Sequence, residues 1–197
     1  MRKNQLERQI VSVLRGKARK EDVDEIEQNL QMQGVIRYVH VGMDVVKLQD
    51  EFSDEELSEQ KAFMLESCQR FLKEASDCCF RDMIGYERDH EMAVLYIQNR
   101  MLPPGKSETD FFEKMQQEIQ RNVELPVYLL VGKAVEGTAK LGHSYSTACL
   151  LRSFIGFREL RKVYYYEEEL QTERNAVVLC KKSLDLLVEA IKDNDRM

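Results

Sequence analysis

The sequence predicts an α/β (α+β) fold: a mixed, largely antiparallel sheet with helices packed on it and helical extensions at both ends. Three observations carry that expectation. Between residues 35 and 166 the apolar pattern switches between strand and helix periods, in the order strand, helix, strand, strand, helix, strand, helix, strand. Two of those strands are consecutive, with a short polar segment between them, so a hairpin interrupts the alternation and brings antiparallel pairing with it. At 197 residues, 43% of them hydrophobic and 32% charged, the chain can bury one domain with helical extensions, or two small domains.

The elements follow in order. Residues 2–15 place Leu6, Ile10, Val13 and Leu14 on one helical face, and Gly16 interrupts it. A second helix over 21–32 carries Val23, Ile26 and Leu30 and ends at Gly34. Residues 35–48, VIRYVHVGMDVVKL, are rich in Val, Ile and Tyr and read as a long strand that includes Asp44. Ser53 caps the next helix, with the acidic first turn a helix start prefers, and Leu57, Phe63, Leu65, Phe71 and Leu72 continue it to about residue 75. Strand candidates over 78–85 and 91–98 flank Tyr86-Glu87-Arg88-Asp89-His90, the expected hairpin connection.

Pro103-Pro104-Gly105 is a break, after which Ser107 opens a helix to about 122 on Phe111, Phe112, Met115 and Ile119. Residues 126–131 form a buried strand that Gly132 ends; a loop closes on Gly137, and a helix spans about 140–154. Residues 163–166 read as a short aromatic strand whose tyrosines pack in the core and at an edge, and 175–193 as a closing helix. The expected organisation is connector helices over 1–34, an α/β domain over 35–168 and a linking helix over 169–197, with the helices over 2–15 and 176–193 outside the core; the first of them is either an amphipathic segment laid on the core or the tail of a longer connector.

Composition narrows the function classes. A net charge of −6 argues against a broad nucleic-acid surface, which needs clustered Lys and Arg against phosphates. No apolar run nears the roughly 20 residues that span a bilayer, and the first residues lack a secretory signal's apolar stretch; a cytoplasmic protein without membrane contact is expected. Cys68, Cys78, Cys79, Cys149 and Cys180 fit no zinc spacing and read as free, small hydrophobes. There is no P-loop, Rossmann glycine fingerprint or HExxH. His143 beside Ser144 is not a triad, because a triad assembles from distant segments; both read as first-turn or capping residues.

The stretch 125–150, LPVYLLVGKAVEGTAKLGHSYSTACL, is the most specific in the chain. Through Val131, Gly132, Val135, Leu141, Ser144, Tyr145 and Ala148, its strand, loop and L-x-x-S-Y-x-x-A helix resembles the end of the GGDEF-like regulatory domain of bacterial AraC-family transcription regulators and response regulators of two-component signalling. The resemblance implies a ferredoxin-related, nucleotide-cyclase-like fold, in keeping with the element order. It implies that Gly132, Leu141, Ser144, Tyr145 and Ala148 are structural, with Tyr145 packing its ring and tying its helix to the preceding loop. An active cyclase of this kind places glycines at the hairpin turn, where a nucleotide approaches the backbone, and acidic residues beside it for metal.

Here Arg88-Asp89-His90-Glu91-Met92 stands at that hairpin and neither glycine is present. Asp44, Asp89 and Glu91 are the carboxylates of a vestigial pocket, and no catalytic residue, metal or cofactor is expected. The implied function is non-catalytic signal relay by an excised or partial regulator lacking receiver and helix-turn-helix domains. It would dimerise through its terminal helices and reach DNA only through the missing domain. The alternative is a small-ligand or nucleotide sensor using the vestigial pocket.

Overall fold

The computed structural model describes residues 3–30, 34–44, 52–74, 80–88, 91–98, 107–155 and 162–167. In chain order these form α1 (Lys3–Leu14), α2 (Lys20–Leu30), β1 (Val35–Met43), α3 (Asp54–Glu74), β2 (Phe80–Arg88), β3 (Glu91–Gln98) and α4 (Glu108–Gln120). There follow β4 (Val127–Val131), β5 (Val135–Glu136), a 3-10 turn (Thr138–Lys140), α5 (Leu141–Ile155) and β6 (Val163–Tyr165).

The strands make one mixed sheet in the order β2-β3-β1-β4-β6, with the short β5 also pairing with β1. β1 lies antiparallel to both β3 and β4, β2 is antiparallel to β3, and among the described residues the one parallel pair is β4 with β6. In β1-α3-β2 the intervening β3 separates the two strands, and in β3-α4-β4 the intervening β1 does so. Two interleaved split β-α-β units therefore build the centre of the sheet. The β4-α5-β6 crossover extends it by one parallel strand.

Alternation along β1 assigns the two faces. Val39, Val41 and Met43 join Met64 and Cys68 of α3, Phe112, Met115 and Ile119 of α4, and Met92, Val94 and Tyr96 of β3 in one buried cluster. Ile36 and Tyr38 point the other way, into a cluster with Ala93, Leu95 and Ile97 of β3, Ile10, Val13 and Leu14 of α1, Ile26 of α2, and Leu141 and Ala148 of α5. A smaller group, Tyr128, Leu130, Leu151 and Tyr164, extends the core toward β6.

The helix starts obey local chemistry. Ser107 accepts the amide of Asp110 at 3.0 Å while the Asp110 carboxylate accepts the Ser107 amide at 2.9 Å, a reciprocal capping box. Ser53 and Glu56 do the same for α3, with the Ser53 amide 2.7 Å from Oε2 of Glu56. These bonds hold both carboxyls below the usual carboxylate range. For Asp110 the Ser107 hydroxyl is the leading cause, and for Glu56 the Ser53 amide. At the end of α1 the Lys17 amide bonds the Ser12 carbonyl and the Gly16 amide the Val13 carbonyl, with Gly16 at φ 66°: a Schellman ending. Farther on, a Cβ at Gly142 would stand 3.2 Å from the carbonyl oxygens of both Val13 and Leu14, so α1 abuts the start of α5 there.

Several expectations are corrected. The helix over 2–15 does not stand outside the core: Ile10, Val13 and Leu14 are buried on the sheet beside Ile26 of α2, because each helix turns its apolar face to β1 and β3. β1 stops at Met43, and Asp44 lies just past it, its amide bonded to the Pro126 carbonyl at 2.8 Å. β2 continues through Tyr86, Glu87 and Arg88, which were expected in the turn. Among the described residues β2 is an edge strand. The loop before α5 contains β5, paired through Val35↔Glu136 and Ile36↔Val135. Cys149 is exposed, since Ser144, Ala148 and Leu151 take the inner face of α5 and leave Cys149 and Leu150 outward. The helix expected over 175–193, the segment 45–48 and Cys78, Cys79 and Cys180 lie outside the described residues.

Candidate functional site

The densest set of polar contacts in the described residues lies where β4 leaves the sheet. The β1–β4 ladder ends at Val39↔Val131, and the next amide, Gly132, bonds the Tyr38 carbonyl at 2.9 Å. The Tyr38 amide, which β4 no longer reaches, donates to Ser144 Oγ at 2.9 Å. A helical hydroxyl thus replaces a strand carbonyl and keeps a buried amide satisfied. Thr147, one turn on, does the same for the loop: its Oγ1 accepts the Lys133 amide at 2.8 Å and sits 2.8 Å from the Ser144 carbonyl and 3.1 Å from that of His143. Its single proton serves one of those carbonyls at a time.

Gly132 makes this approach possible. A Cβ there would stand 2.2 Å from the Ser144 carbonyl oxygen and 2.9 Å from its Oγ. Tyr145 packs edge-on against Tyr38, ring centroids 5.1 Å apart at 89°. Leu141 and Ala148 are buried beside them. Gly132, Leu141, Ser144, Tyr145 and Ala148 are therefore brought together at one strand-to-helix junction. The Ser144 oxygen is fully buried and engaged by an amide, which suits anchorage and leaves no approach for a substrate.

On the opposite face of β1, Arg37 fills the gap left by β4. Its Nε donates to Glu108 at the start of α4 at 2.8 Å. One terminal nitrogen donates to the Gly132 carbonyl at 2.8 Å and to both Glu167 oxygens, at 2.9 and 3.2 Å. Glu167 in turn accepts the Ala134 amide at 3.2 Å. Burial works to lower the Arg37 pKa, but Glu108 and then Glu167 outweigh it and hold the guanidinium's pKa above its ordinary value. Neither Arg37 nor Thr147 was singled out by the sequence reading. The signals were there: an arginine inside the apolar run VIRYVHV, and a hydroxyl three positions after Ser144 on the same helical face.

Of the three carboxylates expected in a vestigial pocket, Asp44 and Glu91 lie at the other end of β1. Gly42 pairs with Glu91, so the backbone brings Asp44 and the start of β3 to one end of the sheet. Asp89 lies outside the described residues, as does His90. On the face of Gly42 the Tyr128 ring fills the space a side chain would take, 2.4 Å from a Cβ position. Among the described residues no group of three His, Cys, Asp or Glu side chains is placed to hold a metal ion, and no helix is long and apolar enough to cross a membrane. Burial pushes the Cys68 thiol up to about 12, far from a reactive thiolate. A scan against protein-family models finds none that matches the chain, and a search of curated proteins finds no match either.

Proposed function

We propose that this chain is a non-catalytic regulatory domain of the degenerate GGDEF-like type in bacterial AraC-family transcription regulators and response regulators, relaying a signal in the cytoplasm. The hairpin between β2 and β3 carries the reading. Arg88 pairs directly with Glu91, which leaves Asp89 and His90 as the whole connection, where a working cyclase needs glycines for its nucleotide. The interleaved split β-α-β units and the Gly132–Ser144 contact support the same reading. Because α1 spends its apolar face on its own sheet, self-association is assigned to residues 169–197.

Incubation with GTP and magnesium tests the reading: no product is expected, and formation of a cyclic dinucleotide would refute it. Light scattering is expected to find a dimer, and a strict monomer would count against relay by association. Calorimetric titration with GTP and cyclic dinucleotides separates the alternative. Tight binding that Asp44→Ala abolishes would make the chain a ligand sensor instead.

A further inference from the structure

We propose that Arg37 and Glu167 form a releasable clasp that sets whether β6 stays docked on β4. Among the described residues β6 is an edge strand of three residues, paired with β4 alone through Leu129↔Val163, Leu130↔Tyr164 and Val131↔Tyr165. So short a ladder gives little independent hold. Just past it, the Glu167 carboxylate reaches over the end of β4 to the guanidinium on β1 and takes the Ala134 amide as well. Three segments of the chain thus meet on one carboxylate.

The two arms of Arg37 differ in a way that permits opening. Its side chain is 11% exposed, and that of Glu108 23%, whereas that of Glu167 is 44% exposed. Ion pairs with carboxylates that wet are weak and screened by salt. When Glu167 lets go, Glu108 and the Gly132 carbonyl still hold the guanidinium, so no buried charge is left bare. Opening is therefore cheap, local and reversible, while loss of the Glu108 arm would not be. The clasp rests on this geometry alone and stands or falls independently of the family reading.

Hydrogen exchange of the full-length chain, followed by mass spectrometry, tests it. In Glu167→Gln the amides of 129–131 and 163–165 are expected to exchange about three- to fivefold faster, with the β1–β3 ladder unchanged. Raising salt to about 0.5 M should speed the same amides in the native protein and add nothing in the variant. Unchanged exchange at 163–165, an equal acceleration across the whole sheet, or a salt effect that persists in Glu167→Gln would each overturn the clasp.

Discussion

The two faces of the sheet are closed by different means. Toward α3 and α4 the contact is made by bulk: Tyr96, Phe112, Met64, Met115 and Ile119 are all fully buried, and the Tyr96 and Phe112 rings meet edge-on at 5.1 Å. Toward α5, where β4 ends, the contact is made by closeness: a Cβ on Gly132 would stand 2.2 Å from the Ser144 carbonyl oxygen, and the Tyr38 and Lys133 amides bond the Ser144 and Thr147 hydroxyls. Flexible side chains can repack around a change in shape, whereas a strand and a helix pinned by buried amide-to-hydroxyl bonds cannot make room for one more carbon. The difference teaches that the first face depends on volume and the second on distance.

The predictions probe that contrast, the largest effect first. Phe112→Ala should cost about 3 to 5 kcal/mol in denaturant unfolding, as a deleted buried ring does. Gly132→Ala should cost about 3 kcal/mol, although it adds a single carbon, because Ser144 is fixed by its bond to Tyr38. Met115→Leu, a larger chemical change on the bulky face, should cost less than about 1.5 kcal/mol. A Met115→Leu loss exceeding that of Gly132→Ala would break the contrast. Ser144→Ala should cost about 1 to 3 kcal/mol by leaving the Tyr38 amide unpaired, with faster exchange at that amide as its mark.

Ser107→Ala should cost about 1 kcal/mol by removing the α4 cap. The smallest effect is on pH. Asp110 and Glu56 have lowered pKa values when folded, so their contribution is present above the ordinary carboxylate range. It is lost as pH falls through those lowered values. Thermal melts over that acid range should show the loss, and Ser53→Ala with Ser107→Ala together should flatten it.

How much of this was legible follows from the same contrast. Long periodic segments such as α3 and α4, with Ser53 and Ser107 at their starts, announced themselves because capping and period are local. The placement of α1 and α2 was not legible, since an amphipathic face says that something covers it but not whether its own sheet does. β5 has two residues and no period to read. At the junction, Gly132 and Ser144 stood out as residue types, but their mutual contact depends on β4 and α5 approaching so closely that a Cβ on Gly132 would not fit, which no spacing encodes. Arg37 was passed over because its partners, Glu108 and Glu167, lie 71 and 130 residues away.

Gly142 has one more consequence. The carbonyl oxygens of Val13 and Leu14, at the end of α1, each stand 3.2 Å from where a Cβ of residue 142 would lie, on the first turn of α5. The two helices thus meet main chain against main chain, at a spacing that a side chain on residue 142 would push apart. That contact leaves a single trace in the sequence, the hydrogen that stands at position 142 in place of a methyl group.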